Sequence, residues 1–348
     1  MSEMRDILND TVTRLFSDLV TRESLGDAEN GTWPEALWNA CADNGLTLAL
    51  VPEERGGAGL SWADCFVIAR AAGYYGPPVP LVETMLGSWL LAEAGIEIPD
   101  GPLTVAPARG DEALRLDDGT VSGVAAAVPW ARSATHAVVL AGGRISLLAL
   151  DGVTVEADCN IAREPRDTVT FENAPAIASA AAALPQDGLQ VYGAMFRAAQ
   201  LAGGVARALD ETVQYAGDRI QFGRPISKFQ AIQQNLAVLA GQMASAGAAA
   251  EMAFRAADSG NPRFEAASAK VVTGDAAGSA TTTAHQIHGA IGFTYEHILQ
   301  FTTRRLWSWR AEFGAESRWA EEIGRNVAGR GADAFWPDLT ARQSGVLA

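Results

Sequence analysis

Along the first hundred positions, apolar residues recur at helical spacing. Ile7, Val12, Leu15, Phe16 and Leu19 fall on one face of an opening helix. Thr32-Trp33-Pro34 reads as a helix start, with Thr32 as N-cap and proline just after it, and EALWNACADNGL runs on until Asn44-Gly45. A short apolar run, LTLALV, leads into PEERGGAGLS, where Gly56, Gly57 and Gly59 break both helix and strand. Ser61 can cap the next helix, WADCFVIARAAGYYG, which Pro77-Pro78 ends, and LVETMLGSWLLAEAG forms another.

The pattern changes near residue 101. LTVAPA, ALRLDDGTVSGVAAAV, THAVVLAGGRISLLAL, VTVEA and DTVTFENAP are short and β-branched, and Asp117-Asp118-Gly119 and Gly142-Gly143 supply turn chemistry. A small antiparallel sheet of about five strands follows from this. Helical spacing returns after residue 180, in long runs over 187–216, 229–258, 263–288 and 312–329, with Pro225 between the first two. The Ala/Gly-rich stretch LAGQMASAGAAAEMAFRAA permits close helix approach. The predicted fold is mainly α with a small β-domain: a helical N-terminal domain over 1–100, a short antiparallel β-domain over 101–180, and a C-terminal antiparallel four-helix bundle over 181–348.

Composition narrows the function classes. With 348 residues, 48% apolar and 19% charged, the chain is long enough for several subdomains and is not disordered. A formal net charge of −15 argues against a nucleic-acid partner, yet a few local arginines could still hold an anionic ligand. The N-terminus has no continuous apolar core of the signal-peptide kind, and no apolar run approaches the ~20 residues a membrane span needs. Cys41, Cys65 and Cys159 are scattered, without metal or disulfide spacing, which fits a reducing cytoplasm and small buried hydrophobes. His285 and His288 share a helix face, but no Cys, Asp or Glu completes a metal cluster around them.

Three stretches carry a resemblance. VPEERGGAGLS (Val51–Ser61), YAGDRIQFGRPISKFQAIQQNLA (Tyr215–Ala237) and QIHGAIGFTYEH (Gln286–His297) resemble signatures of the acyl-CoA dehydrogenase flavoprotein family, and with the domain order the likeness covers nearly the whole chain. The resemblance implies FAD as cofactor and an acyl-CoA thioester as substrate. A carboxylate removes the α-proton while the β-hydrogen leaves as hydride, and an electron-transfer flavoprotein takes the electrons. It implies further that Arg219 and Gln230 reach the FAD of a neighbouring subunit, that Phe222 packs against that cofactor, and that Gln286 and Gly289 sit beside its pyrophosphate. Glu296 matches a glutamate of structural role. Where the family commonly has two glycines, this chain has Gly289-Ala290.

The catalytic pattern departs from the family's. An ungapped count from Gln286 puts Phe313 where one class of members carries its base, and a count back from Arg219 puts Gly193 at the other class's position. Neither residue accepts a proton. A one-residue shift would offer Glu312, which as a base would sit in an apolar cleft with a raised pKa; otherwise it is a solvated residue near a helix start. No TEPGxGS-type string occurs between residues 100 and 180, and VPWARSATHAVV occupies part of that region. The pattern resembles the smaller, non-catalytic subunit of α2β2 members acting on bulky CoA thioesters such as steroid side chains, with a larger homologous subunit supplying the base. A complete homo-oligomeric dehydrogenase using Glu312, and a flavin-free assembly homologue, are the alternatives.

Overall fold

A computed structural model describes residues 3–107 and 114–343. In the N-terminal region, α1 (Glu3–Leu19), α2 (Arg22–Glu29), α3 (Glu35–Asp43), α4 (Trp62–Tyr75) and α5 (Leu81–Glu93) enclose one apolar core. Val12 and Phe16 of α1 are fully buried, while Ile7 of the predicted face is exposed, because α1 is an outer helix with a narrow inner stripe. A reciprocal cap between Thr21 and Ser24 starts α2, an element the apolar pattern had not marked. Thr32 does not cap α3: its N–H bonds back to Asp27 O at 3.0 Å, and Pro34 takes the N-cap position. Ser61 caps α4 as its sequence position predicts, accepting from Asp64 N–H. The carboxylate at the end of the second bundle helix, Asp258, also accepts from Trp62 N (2.7 Å) and Ala63 N (3.1 Å), tying this helix start to the bundle.

The middle region is a two-sheet unit with its own apolar core. Its strands are β1 (Leu103–Ala106), β2 (Arg115–Asp117), β3 (Thr120–Pro129), β4 (His136–Ala141), β5 (Arg144–Ala149), β6 (Thr154–Glu156), β7 (Arg166–Pro175) and β8 (Ala178–Ala181). One sheet has the order β1-β4-β5-β8 and the other β2-β3-β7-β6. About five antiparallel strands were predicted; the described residues form more, and β1 pairs with β4 in parallel, with Leu103 opposite His136. The parallel pair arises because the chain leaves the first sheet after β1, builds β2 and β3 in the second, and then returns. The predicted turns have the backbone their residues favour: Asp118-Gly119 and Gly142-Gly143 are left-handed at both positions, which matches the twist of the flanking strands.

The C-terminal region holds α6 (Gly188–Asp218), α7 (Gln230–Ala257), α8 (Arg263–His288), α9 (Leu299–Ala311), α10 (Glu316–Arg330) and α11 (Ala332–Gln343). A two-residue-per-strand hairpin, β9 (Ile220–Gln221) and β10 (Arg224–Pro225), joins α6 to α7. The run predicted over 312–329 is α10. The preceding helix α9 has no clear apolar period because its sequence, LQFTTRRLWSWRA, carries three arginines, of which Arg305 is buried. Helices α4 and α6 cross at backbone contact: a Cβ on Gly73 would lie 2.0 Å from Gln200 O, and one on Gly203 2.0 Å from Arg70 O. Trp62 packs against Trp89, Tyr192, Phe196 and Phe254, so α4, α5, α6 and α7 share one aromatic centre.

The three regions meet at an alternating chain of buried charges. Arg197 of α6 binds Glu83 of α5 at 2.6 Å and Glu312, just past α9, at 2.7 Å. Arg166 of β7 grips the same Glu312 through two nitrogens, at 2.7 and 3.1 Å, and Glu164 at 2.9 Å. Glu164 goes on to Arg305 at 3.0 Å and to the Trp309 indole at 3.0 Å. Asn160 donates to both Glu164 and Glu312 at 3.1 Å. Positive and negative groups balance, and every carboxylate oxygen of Glu164 and Glu312 is engaged, the condition under which such a cluster is tolerated away from water.

Removing one member leaves the others buried and unpaired. Arg197→Met should cost about 3–5 kcal/mol, read as a lowered urea midpoint. Burial alone would raise the Glu312 carboxyl, but Arg166 and Arg197 outweigh it and hold it at about 2, and Glu164 is likewise lowered against its burial by Arg166 and Arg305. Carboxyls lowered in the folded state contribute stability that is complete above the ordinary glutamate value of 4.5 and is lost as pH falls toward 2. Thermal midpoints measured across that window should fall, and Glu312→Gln should flatten the fall.

Candidate functional site

The RIQFGRPISKFQ segment forms the end of α6, the hairpin and the start of α7. Arg219 caps α6 and passes the chain into the hairpin: its carbonyl accepts from Ile226 N–H at 2.8 Å. Phe222 and Gly223 form the tip, both left-handed, at φ 52° and 77°. A phenylalanine there carries a steric cost of roughly 1–2 kcal/mol. The residue is 93% exposed, and its ring touches Phe229 edge-on at 6.2 Å between centroids. An apolar ring held outward on strained backbone gains little inside its own chain, which points to a contact outside it.

Cations surround this tip. Arg219, Arg224 and Lys228 are exposed, and Arg224 lies over the Phe229 ring at 4.3 Å. Among the described residues the Arg219 guanidinium has no hydrogen bond or ion pair. In a chain of net charge −15, a free guanidinium beside an exposed aromatic tip suits an anionic, partly aromatic ligand. Gln230 is the first residue of α7 and is also exposed.

The second motif lies where α8 ends. Gln286 is exposed on the last turn of α8, and Gly289 closes the helix at φ 65° with nothing within 4 Å of where a Cβ would be. Ala290 lies outside the left-handed region, so its methyl group is compatible with this turn. A ring stack connects the two motifs: Tyr215, in the last turn of α6, lies parallel to His288 at 4.4 Å, and His288 meets His297 edge-on at 4.8 Å. His288 Nδ1 pairs with Ala284 O at 2.8 Å, and burial lowers the pKa of this ring to about 4. His285 pairs with Thr303 at 2.9 Å and stacks on Phe293 at 4.0 Å. Both histidines thus have packing roles, and no His/Cys/Asp/Glu group among the described residues could hold a metal. The Glu296 side chain is exposed, and its carbonyl accepts from Arg22 at 2.9 Å.

Glu312 is neither a base in an apolar cleft nor a solvated residue. It is the middle carboxylate of the buried charge chain, and its pKa is depressed rather than raised. An anion held by two arginines is a poor proton acceptor at neutral pH. The two counted base positions, 120 residues apart, touch: a Cβ on Gly193 would lie 2.3–2.6 Å from three carbons of the Phe313 ring. Phe313 is buried, and its carbonyl accepts from Trp319 Nε1 at 3.0 Å. In the β-domain Trp130 is buried rather than displayed to a ligand. Cys41 and Cys65 are buried, whereas Cys159, also predicted as a buried hydrophobe, is exposed in the loop before β7; all three are free thiols.

The members of the charge chain escaped sequence reasoning, since no local motif unites them. A usable signal was present: Glu83 and Arg197 are lone charges inside otherwise apolar helical runs, LVETMLGSWLL and GAMFRAAQLAGG.

A helical domain, a two-sheet unit and a helical bundle with an outward cationic hairpin define the architecture of acyl-CoA-oxidising flavoproteins. The chain belongs to the acyl-CoA dehydrogenase family. The family's N-terminal domain model matches residues 2–98, and its C-terminal domain model matches 190–328. Acyl-CoA dehydrogenase IpdE2 of Mycolicibacterium smegmatis is 32% identical over 314 residues, covering 88% of this chain and 93% of the relative. Among solved structures, the Tcur3481-Tcur3483 steroid ACAD G363A variant superposes with a TM-score of 0.86 at 25% identity, covering 94% of this chain and 98% of that one. The ChsE4-ChsE5 complex from Mycobacterium tuberculosis gives a TM-score of 0.87 at 22% identity over 94% and 98%, a likeness of fold. No described helix is long and apolar enough to cross a membrane.

If Phe222 serves a contact outside the chain, removing its ring should leave this chain's own stability nearly untouched. Phe222→Ala is expected within about 0.5 kcal/mol of wild type in urea unfolding. A large loss would mean that the ring packs at home.

Proposed function

We propose that this chain is the FAD-contacting, non-catalytic subunit of a heteromeric acyl-CoA dehydrogenase, paired as an α2β2 assembly with a larger homologous subunit that carries the base. The observation that carries the reading is the opposition of two ends of the molecule. The hairpin offers exposed Arg219 and Phe222 with little to bind at home, while the two places for a base are filled by Gly193 and Phe313 packed together. The residues present fit a neighbour's FAD better than one held by this chain.

Within that assembly, Arg219 donates charge-assisted hydrogen bonds to the pyrophosphate, and Gln230 and Gln286 add neutral donors. Gly289 would let backbone come close to a phosphate, and Phe222 would pack against the cofactor. When bound, FAD would supply the acceptor for the β-hydrogen, which leaves as hydride. The larger subunit removes the α-proton and holds the thioester oxygen. The substrate class, bulky CoA thioesters such as those of steroid side chains, is supported by the likeness to a steroid ACAD. An electron-transfer flavoprotein is the acceptor the family implies. Three free thiols suit a cytoplasmic location.

The test is a visible spectrum. The chain purified alone should be colourless and should yield a yellow complex when prepared with its larger homologue. A yellow chain that alone turns over an acyl-CoA would overturn the assignment. In the complex, Arg219→Ala should weaken FAD retention by about 1.5–3 kcal/mol, roughly tenfold or more in Kd. Undiminished flavin content would remove Arg219 from the site.

A further inference from the structure

We infer that Phe313 is a plug: its ring fills the space above Gly193 that an acyl chain would enter, and it closes this chain's own cleft to thioesters. The inference rests on the subunit reading above and adds what does the closing. The fit is mutually exclusive. Any residue larger than glycine at 193 would drive its Cβ to 2.3 Å from the ring, so position 193 cannot gain a carboxylate while Phe313 stays in place.

The turn that delivers the ring is fixed on every side. Phe313 and Gly314 are both left-handed, at φ 52° and 95°, and a Cβ on Gly314 would come 2.7 Å from Trp319 Nε1. Immediately before the ring, Glu312 is anchored by Arg166 and Arg197. Lys270, fully buried, donates to Trp309 O at 3.0 Å and Arg310 O at 2.7 Å, closing the end of α9. Beyond the ring, Arg310 holds Glu316 at 2.5 Å, and Glu316 lies where a Cβ on Gly274 would stand. At Phe313, unlike at the exposed Phe222, these surroundings hold the left-handed backbone in place. The ring belongs to the continuous apolar core that includes Tyr192 and Ala194, with the Arg197 guanidinium 5.6 Å from its centre. The natural occupant of the space, with the ring absent, is the short apolar acyl group of a thioester.

Calorimetric titration of butyryl-CoA into the chain alone tests this. Wild type should show no binding, and Phe313→Ala should gain it, by at least about tenfold in Kd. Because Phe313→Ala leaves a cavity, Phe313→Leu is titrated beside it and should show a smaller gain. Thermal unfolding of Gly193→Ala gives an independent reading. Its midpoint should drop in the wild-type background, and the drop should vanish in the Phe313→Ala or Phe313→Leu background. A wild type that binds butyryl-CoA as tightly as the variants, folded variants that gain no binding, or a Gly193→Ala chain as stable as wild type would each overturn the plug. Inert variants would leave the Arg219 reading standing, whereas turnover by the wild-type chain alone would remove both.

Discussion

The alternating chain Glu83–Arg197–Glu312–Arg166–Glu164–Arg305 decides how the regions of this molecule sit together. It joins α5, the start of β7, α6 and α9, and all its members are buried except Glu312, which is only slightly exposed. Pairs buried this deeply return little net stability compared with a well-packed apolar core, because desolvation offsets most of the attraction. Their consequence is geometric. An apolar contact tolerates sliding, whereas a guanidinium gripped by two carboxylates has essentially one arrangement.

Two further features follow from that rigidity. Glu312 cannot leave the cluster, so the residue after it turns inward, and the Phe313 ring comes to rest on Gly193. On the opposite course, α6 runs from Gly193 to Arg219, where the hairpin presents Phe222 to solvent. One helix therefore carries both a closed position and an open one. The stack of Tyr215, His288 and His297 fixes the root of the hairpin to the end of α8, so the two segments that resemble FAD-contacting motifs are held together within this chain itself. Such preorganisation lowers the ordering cost of association.

Much of this was legible in the sequence. Helices α6, α7 and α8 were visible because their apolar period runs unbroken for many turns, and Pro225 marked the break between the first two, but the hairpin that fills that break was not predicted. Helix α9 was hidden, since Arg304, Arg305 and Arg310 read as a solvated face although Arg305 is buried. The same cause concealed the true role of Glu312. Its three side-chain partners, Asn160, Arg166 and Arg197, precede it by 152, 146 and 115 positions, and only the fold brings them to it. Counting along the chain found no proton acceptor at Gly193 or Phe313, yet it could not reveal that these two positions touch. Periodicity finds faces, and motifs find local backbone; charge compensation between distant segments leaves no local trace.

The central claim is that this chain completes a flavin site in a neighbour and forms none of its own. It is tested most directly by counting FAD against protein in the purified assembly with its larger homologue, by absorbance of the released flavin. The account predicts one FAD for each unlike pair of chains. Two per pair, one on each chain, would contradict it.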